Sequence, residues 1–411
     1  MRPRPFPRAP CPSAGGVLVT GAAKAREAME NEEELLSGLH LKRLPGIGNL
    51  LCKRLIERFG SAAAVLRAEP EAWAEVEGIT ERALEALRRN RSPRRELAQE
   101  IRAARRRGIR MLSLADADYP PLLREIPDPP PILYLRGDPA AMASFPVAVV
   151  GSRSPTRYGR ETAQRLAADL AGRGFAVVSG LALGIDTSAH EGALAAGGKT
   201  AAVLGSGLER LYPSQNAPLA RRILAASGAI ASEFEPEAGP EAWRFPVRNR
   251  VISGISLGCV VVEAGARSGA LITARLAAEQ GREVFAVPGS VQSPRSAGTH
   301  RLIQQGAKLV QDVQDILEEL GFGDRPEAKP GSASPASSPS APQTGALPAE
   351  EQEVLAALGP YPLHIDELGR ALGRDAGSLA ALLLQLELKG LAVGHPGKYY
   401  TAAVRPPGMR P

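Results

Sequence analysis

The stretch VAVVGSRSPTRYG, from Val147 to Gly159, runs an apolar strand into a glycine turn and then into a helical segment. That order opens a dinucleotide-binding unit, in which a phosphate rests on backbone amides at a helix N-terminus. The G-x-G-x-x-G spacing is absent, however, and Arg153 stands where the turn should stay small. A guanidinium is a planar fork that donates paired hydrogen bonds to phosphate oxygens. The turn reads as a phosphate site of another kind.

The same alternation continues downstream. Strands are expected at Val147–Val150, Phe175–Val178, Thr200–Leu204, Ala229–Ser232, Cys259–Glu263 and Glu283–Val287, with helical patterns between them. Most are near-continuous apolar runs, as strands buried on both faces should be, and strand–helix alternation makes the sheet parallel. Ligands of such sheets bind beyond the carboxyl ends of the strands. The segments there read GSRS (151–154), SGLALGID (179–186), GSGLERLYP (205–213), SEFEPEAGP (232–240), EAGARSGALIT (263–273) and PGS (288–290). Small residues let backbone amides approach a ligand. Gly151, Ser152, Ser179, Gly180, Gly205, Ser206, Gly207, Ser268 and Gly269 are therefore candidate backbone contacts.

Cations accompany them. Arg153 follows the first of these strands, Lys199 sits in the turn entering the third, and Arg267 adjoins Ser268 and Gly269. FPVRNRVISG (245–254) places Arg248 and Arg250 around Asn249. Read as an extended lead-in to a helix, alternate residues point the same way, so two guanidiniums and an amide would face one anion. Residues 147–322 carry 18 Lys and Arg against 16 Asp and Glu, which excludes a uniformly basic surface and leaves a focused patch.

Three motif matches fail on context. GALAAGGKT (192–200) has Ala193 where a Walker A loop needs glycine, and it leaves a helix for a strand, the reverse of a P-loop. GISLG (254–258) precedes a strand, whereas a nucleophile elbow follows one. Asp186 and His190 are four apart on one helix face, too few for a closed metal site; a contact that orients the glycine loop is the expected role.

At 411 residues and 44% hydrophobic content the chain holds several domains. Its formal net charge of +6 is compatible with nucleic acid. Cys11, Cys52 and Cys259 are far apart and odd in number, so neither a disulfide framework nor a zinc site is implied, and a reducing, cytoplasmic compartment fits. No apolar run reaches the ~18 residues of a membrane span, and no cofactor is expected. Residues 1–30 read as a disordered basic extension and 31–110 as helical. Residues 111–322 read as the sheet domain with an extended, proline-rich lead-in over 111–146. Residues 323–347 are a Pro/Ser-rich linker, and 348–411 a small helical unit closed by a hairpin.

LKRLPGIGNLLCKRLIERFGS (41–61) resembles a helix-hairpin-helix, with VEGITERALEAL (76–87) as a weaker second copy. The stretch from Leu87 to Arg110 holds ten arginines against two glutamates, a candidate extension of a DNA track. The C-terminal unit resembles a winged helix. Its second helix offers only Gln385 for reading base edges, and residues 348–403 have 4 basic against 7 acidic residues, which favours an accessory role over duplex reading.

GSRSPTRYG, VSGLALGIDTSAH, AVLGSGLERLYPSQN, SEFEPEAGPEAWRFPVRNRVISG, EAGARSGALITARLAAEQGREVFAVPGS and GTHRLIQQGAKLV occur in this order across about 147–310. Together they resemble the consecutive signatures of the DNA-processing protein A (DprA/Smf) family. The resemblance implies a Rossmann-like domain that binds single-stranded DNA without cleaving it. It further implies loading of RecA recombinase onto incoming strands during natural transformation, and a homodimer with residues 298–309 as its candidate surface. The family's basic pocket maps onto Arg153, Lys199, Arg248 and Arg250, and its backbone-binding glycines onto Gly151, Gly180, Gly205, Gly207 and Gly269. Leu183 stands where many relatives are basic. Candidate stacking aromatics are Tyr158, Tyr212, Phe234, Trp243 and Phe245. Two other classes stay open: a nucleotide phosphoribohydrolase on a related sheet with Glu263 as catalytic acid, and a transcription regulator using the winged helix.

Overall fold

The computed structural model describes residues 21–89, 93–323, 348–358, 363–395 and 398–402. The N-terminal unit is helical: α1 (Gly21–Arg43), α2 (Asn49–Phe59), α3 (Ala62–Arg67), α4 (Pro70–Ala74), α5 (Glu81–Arg88) and α6 (Arg94–Arg106). Helix α1 begins inside the stretch expected to be a disordered extension. Its alanines and glutamates are strong helix formers; residues 1–20 lie outside the described residues. Between α1 and α2 the chain turns at Pro45–Gly48, where Gly46 has φ +86°.

The proline-rich lead-in is not a connector lying on a finished domain. It supplies β1 (Arg110–Ser113), α7 (Pro121–Glu125) and β2 (Ile132–Gly137), and the two strands extend the main sheet. The prolines at 127 and 129–131 fall between α7 and β2, so the strands themselves keep their N–H donors. The sheet domain then runs β3 (Val147–Gly151), α8 (Arg157–Gly172), β4 (Val177–Ser179), α9 (Ile185–Ala195), β5 (Thr200–Val203), α10 (Ala217–Ala225) and β6 (Ala229–Ser232). It continues with α11 (Arg244–Ile255), β7 (Gly258–Val262), α12 (Ala270–Glu279), β8 (Glu283–Ala286), α13 (Ala297–Gln304), β9 (Lys308–Leu309) and α14 (Val313–Glu319). All six expected strands are present, with ends shifted by a residue or two.

The nine strands stand in the order β1-β2-β6-β5-β4-β3-β7-β8-β9. Pairing is parallel from β6 through β9, while β2 joins β6 antiparallel. Both faces are covered. Ala148 and Val150 pack with α11 and α12 residues on one side, and Val147 and Val149 with α8 and α9 residues on the other. The chain builds outward from β3 to β6, returns, and builds the other way from β7. The β3/β7 boundary is thus the topological switch point, where a crevice must open beyond the strand ends.

The helical unit shares a core with the sheet domain. Leu35 and Leu39 of α1 and Leu97 and Ile101 of α6 cluster with Ile132, Tyr134, Leu181 and Leu204. Lys53 donates to the carbonyls of Glu125 and Ile126 at 3.1 and 2.8 Å, tying α2 to α7. The C-terminal unit, α15 (Ala349–Ala357), β10 (Leu363–His364), α16 (Ile365–Leu372), α17 (Ala376–Leu388), β11 (Ala392–His395) and β12 (Tyr399–Ala402), has its own core and three-stranded sheet. Residues 324–347, read as a linker, lie outside the described residues.

Leu39 is fully buried at the seam between the helical unit and the sheet. Leu39→Ala should cost about 2–5 kcal/mol in denaturant unfolding and loosen the two units together, because the cavity opens in a shared core.

Candidate functional site

A cleft of about 1080 Å³ lies at the switch point. One wall is the turn after β3, with Gly151, Ser152 and Arg153; the facing wall is the loop after β7, with Arg267, Ser268 and Gly269. Helix α11 forms the base, presenting Phe245, Arg248 and Asn249 at helical spacing. Tyr212 and Arg295 complete the rim. A Cβ on Gly151 would sit 1.9 Å from the Val262 carbonyl and 2.7 Å from Ile185, so only glycine lets β3, β7 and α9 converge here.

Arg248 holds the base rigid. Its guanidinium is buried and donates to the Gly180 carbonyl at 2.7 Å and to the Val203 carbonyl, tying the ends of β4 and β5 to α11. Below it Asp186 accepts from the amides of Gly180 and Ala182 at 3.1 and 3.3 Å. Burial raises the Asp186 carboxyl above its usual range, against the pull of Arg248 and those amides. Burial likewise lowers the Arg248 guanidinium to about 10, against the pull of Asp186. Asp186 therefore orients the glycine loop, as expected. His190 has Nδ1 2.7 Å from Thr200 Oγ1, and burial lowers its imidazole to about 3, so it stays neutral.

Arg153, Arg267 and Arg295 differ from Arg248. All three are exposed, and none has a carboxylate partner among the described residues. Nearby surface arginines are neutralised: Arg136 pairs with Glu209 at 2.5 Å, Arg157 with Glu161 at 2.5 Å and Arg107 with Glu237 at 2.8 Å. Arg153 lies over the Phe245 ring, 5.6 Å from its centroid, and Tyr212 meets that ring edge-on at 5.7 Å. The cleft thus presents unneutralised guanidiniums beside an aromatic edge, a combination suited to a phosphate chain carrying planar bases.

Other expected contacts lie elsewhere. Lys199 immediately precedes β5 and so sits at the amino edge of the sheet, away from the cleft, where it pairs with Asp138 at 2.9 Å. Arg250 is buried between Glu233 and Asp128, the latter at 3.2 Å. The expectation that Arg248 and Arg250 point together assumed an extended lead-in. They lie instead within α11, where residues two apart diverge by about 200°. Gly180, Gly205 and Gly207 make room for protein atoms: a Cβ would strike the Arg248 guanidinium, the Phe245 ring and the Glu235 carbonyl respectively. Ser179 donates to the Val149 carbonyl at 2.7 Å, and Ser206 is buried. Gly269 alone among these glycines has open space around a Cβ.

Arg295 escaped the sequence reading. It lies five residues beyond the PGS segment in a loop without strand or helix pattern, and only the fold returns that loop to the rim. Trp243 and Phe234 stack edge to face and do not line the cleft, and Tyr158 donates to the Pro288 carbonyl at 3.2 Å. Glu263 is buried, accepting from the Thr156 amide at 2.8 Å and from the Thr156 hydroxyl, so it caps α8 and does not line the cleft.

Residues 110–321 match the family model described as DNA recombination-mediator protein A, and residues 338–398 match the DprA winged helix domain. The chain belongs to the DNA-processing protein A family. The Smf protein of Escherichia coli is 43% identical over 288 residues, covering 69% of this chain and 75% of that protein. The Smf protein of Synechocystis is 36% identical over 402 residues, covering 90% and 99% respectively. The X-ray structure of DNA processing protein A from Streptococcus pneumoniae superposes with a TM-score of 0.60 at 35% identity, over 70% of this chain and 97% of that one. The family is one of DNA-processing recombination mediators, and its Rossmann-like and winged-helix parts correspond to the sheet domain and the C-terminal unit found here.

Removing Arg248 leaves the buried Gly180 and Val203 carbonyls without their donor. Arg248→Met should cost about 1–3 kcal/mol or more in chemical denaturation. Arg153→Gln, on an exposed and unpaired side chain, should stay within about 0.5 kcal/mol of the parent.

Proposed function

We propose that the chain binds single-stranded DNA along this cleft without cleaving it and passes the strand to RecA recombinase during natural transformation. The observation that carries the reading is the convergence of Arg153, Arg267 and Arg295, exposed and without carboxylate partners among the described residues, on one cleft with Tyr212 at its rim and Phe245 at its base. Such a site offers charge and stacking and no base-edge code, which suits a strand bound irrespective of sequence. Membership of a recombination-mediator family supports the handover, and the family's DNA-processing name supports the ligand. We assign Gly151, Ser152, Arg153, Asn249, Arg267, Ser268 and Gly269 to the DNA contact, with Arg295 added and Arg248 as the buried support beneath.

The hydrolase alternative needs a free carboxylate facing a substrate. Glu263 is instead engaged by Thr156 behind the cleft wall. The regulator alternative needs several basic or amide side chains on the outer face of α17; of the residues exposed there only Gln385 is of that kind, beside Ala380, Ala381, Leu384 and Leu388. We therefore assign the winged-helix unit an accessory role. A homodimer through residues 298–309 fits the position of β9 as the last strand of the sheet, with Leu309 exposed beside an unpaired backbone edge. A cytoplasmic site of action accords with this reading; among the described residues no helix is long and apolar enough to cross a membrane.

Fluorescence anisotropy with labelled oligothymidine tests the cleft. Arg153→Gln with Arg267→Gln should weaken binding at least about tenfold at low salt and shallow the log–log salt slope by about 1.4. An unchanged affinity contradicts the assignment. Deleting residues 323–411 should leave most strand affinity in place, since that unit has its own core; collapse of binding would overturn its accessory role.

A further inference from the structure

Helix α6 carries a cationic stripe outside the cleft. Arg95, Gln99, Arg102 and Arg106 follow one another at i, i+4, i+7 and i+11, and all are exposed. That spacing places them on one side of the helix. The opposite side, Leu97, Ile101 and Ala104, is buried. Neighbouring arginines are neutralised: Arg94 by Glu33, Arg105 by Glu32 at 3.3 Å and Arg107 by Glu237 at 2.8 Å. Arg95, Arg102 and Arg106 have no carboxylate partner among the described residues. Of the two acids in the helix, Glu100 is held by Arg43 at 2.8 Å, leaving Glu96.

Helix stability does not account for the stripe. Arg106 in the last turn complements the helix dipole, whereas Arg95 in the first turn opposes it. Arginines kept exposed and unpaired along one line, one of them against the dipole, present a row of forked donors to an extended anion.

The stripe also leads to the cleft. The Arg136 guanidinium donates to the Arg107 carbonyl at 3.1 Å and to Glu209 at 2.5 Å, so the end of α6 adjoins the loop after β5. The next residue of that loop, Arg210, is exposed and without a carboxylate partner among the described residues, and Tyr212 two positions on lines the cleft. Arg210 and Arg106 thus lie next in sequence to the residues through which the loop after β5 meets α6, and from there α6 runs about 16 Å on to Arg95.

We propose that this stripe is a second DNA-binding tract, which takes the part of a single strand that extends beyond the cleft. The ligand follows from the proposed function of the cleft, but the tract makes a separate demand: only strands longer than the cleft reach it. The test uses the full chain and labelled oligothymidine of about 6 and about 30 nucleotides. Wild type is compared with Arg95→Gln/Arg102→Gln/Arg106→Gln, which keeps helix propensity and whose fold is checked by circular dichroism and melting. The triple variant should bind the long strand about tenfold more weakly at low salt, with a salt slope shallower by about 2, and the short strand as wild type does. Lysine at the same three positions should restore most of the long-strand affinity.

Long-strand affinity and salt slope unchanged in the glutamine variant overturn the tract. So does an equal loss for both lengths, since the arginines would then act through the cleft or the fold. Failure of the wild type to bind the short strand counts against the cleft alone, because the long-strand comparison still decides α6. If the wild type binds neither strand, both readings fall.

Discussion

Between β3 and β7 the chain reverses the direction in which it builds its sheet. Helices leaving the two strands depart to opposite faces, so the strand ends diverge and a crevice is unavoidable there. Gly151 makes the geometry feasible, because any side chain at that point would collide with the Val262 carbonyl. The position of the cleft is therefore a matter of topology. What lines it is then decided by the loops after β3 to β8 and by one face of α11.

The arginines divide by what they face. Arg248 and Arg250 are buried and fully engaged: one holds the carbonyl ends of β4 and β5, the other joins Glu233 to Asp128. A buried guanidinium is tolerable only when acceptors surround it: Arg248 has backbone carbonyls and Arg250 has carboxylates. Arg153, Arg267 and Arg295 keep their charge available to solvent and hence to a ligand. The division explains how a domain of nearly balanced charge can still present a focused positive site. It also separates two kinds of variant, those that weaken the fold and those that weaken binding while leaving the fold intact.

The helical unit is held to the sheet domain along the loop that follows β6. Lys42 donates to the Glu233 carbonyl at 2.7 Å, Arg43 pairs with Glu235 at 2.8 Å, and Arg107 pairs with Glu237 at 2.8 Å. The last two pairs are half-exposed and contribute little by themselves. The shared apolar core of α1, α6, β2 and the strand ends provides the adhesion, and the acidic loop fixes the register. Because the same loop carries Pro240 and Ala242 to the cleft rim, α6 is held in a defined position relative to the site.

Near-continuous apolar runs such as VAVV and CVVV allow only strands buried on both faces, so their alternation with helical segments made a parallel sheet and its ligand-bearing edge legible from the sequence. Local pattern could also reject the false P-loop and the false nucleophile elbow, since both depend on what precedes and follows the motif. It could not tell which arginines would be free. In an extended segment Arg250 would side with Arg248; the helical pitch of α11 sends it inward to Glu233. Lys199 is near the right strand in sequence and at the wrong end of it in space. Arg295 and the strands of the lead-in become visible only when distant segments meet, because charge pairing and edge pairing are properties of neighbours that the chain brings together across separations of up to 122 residues.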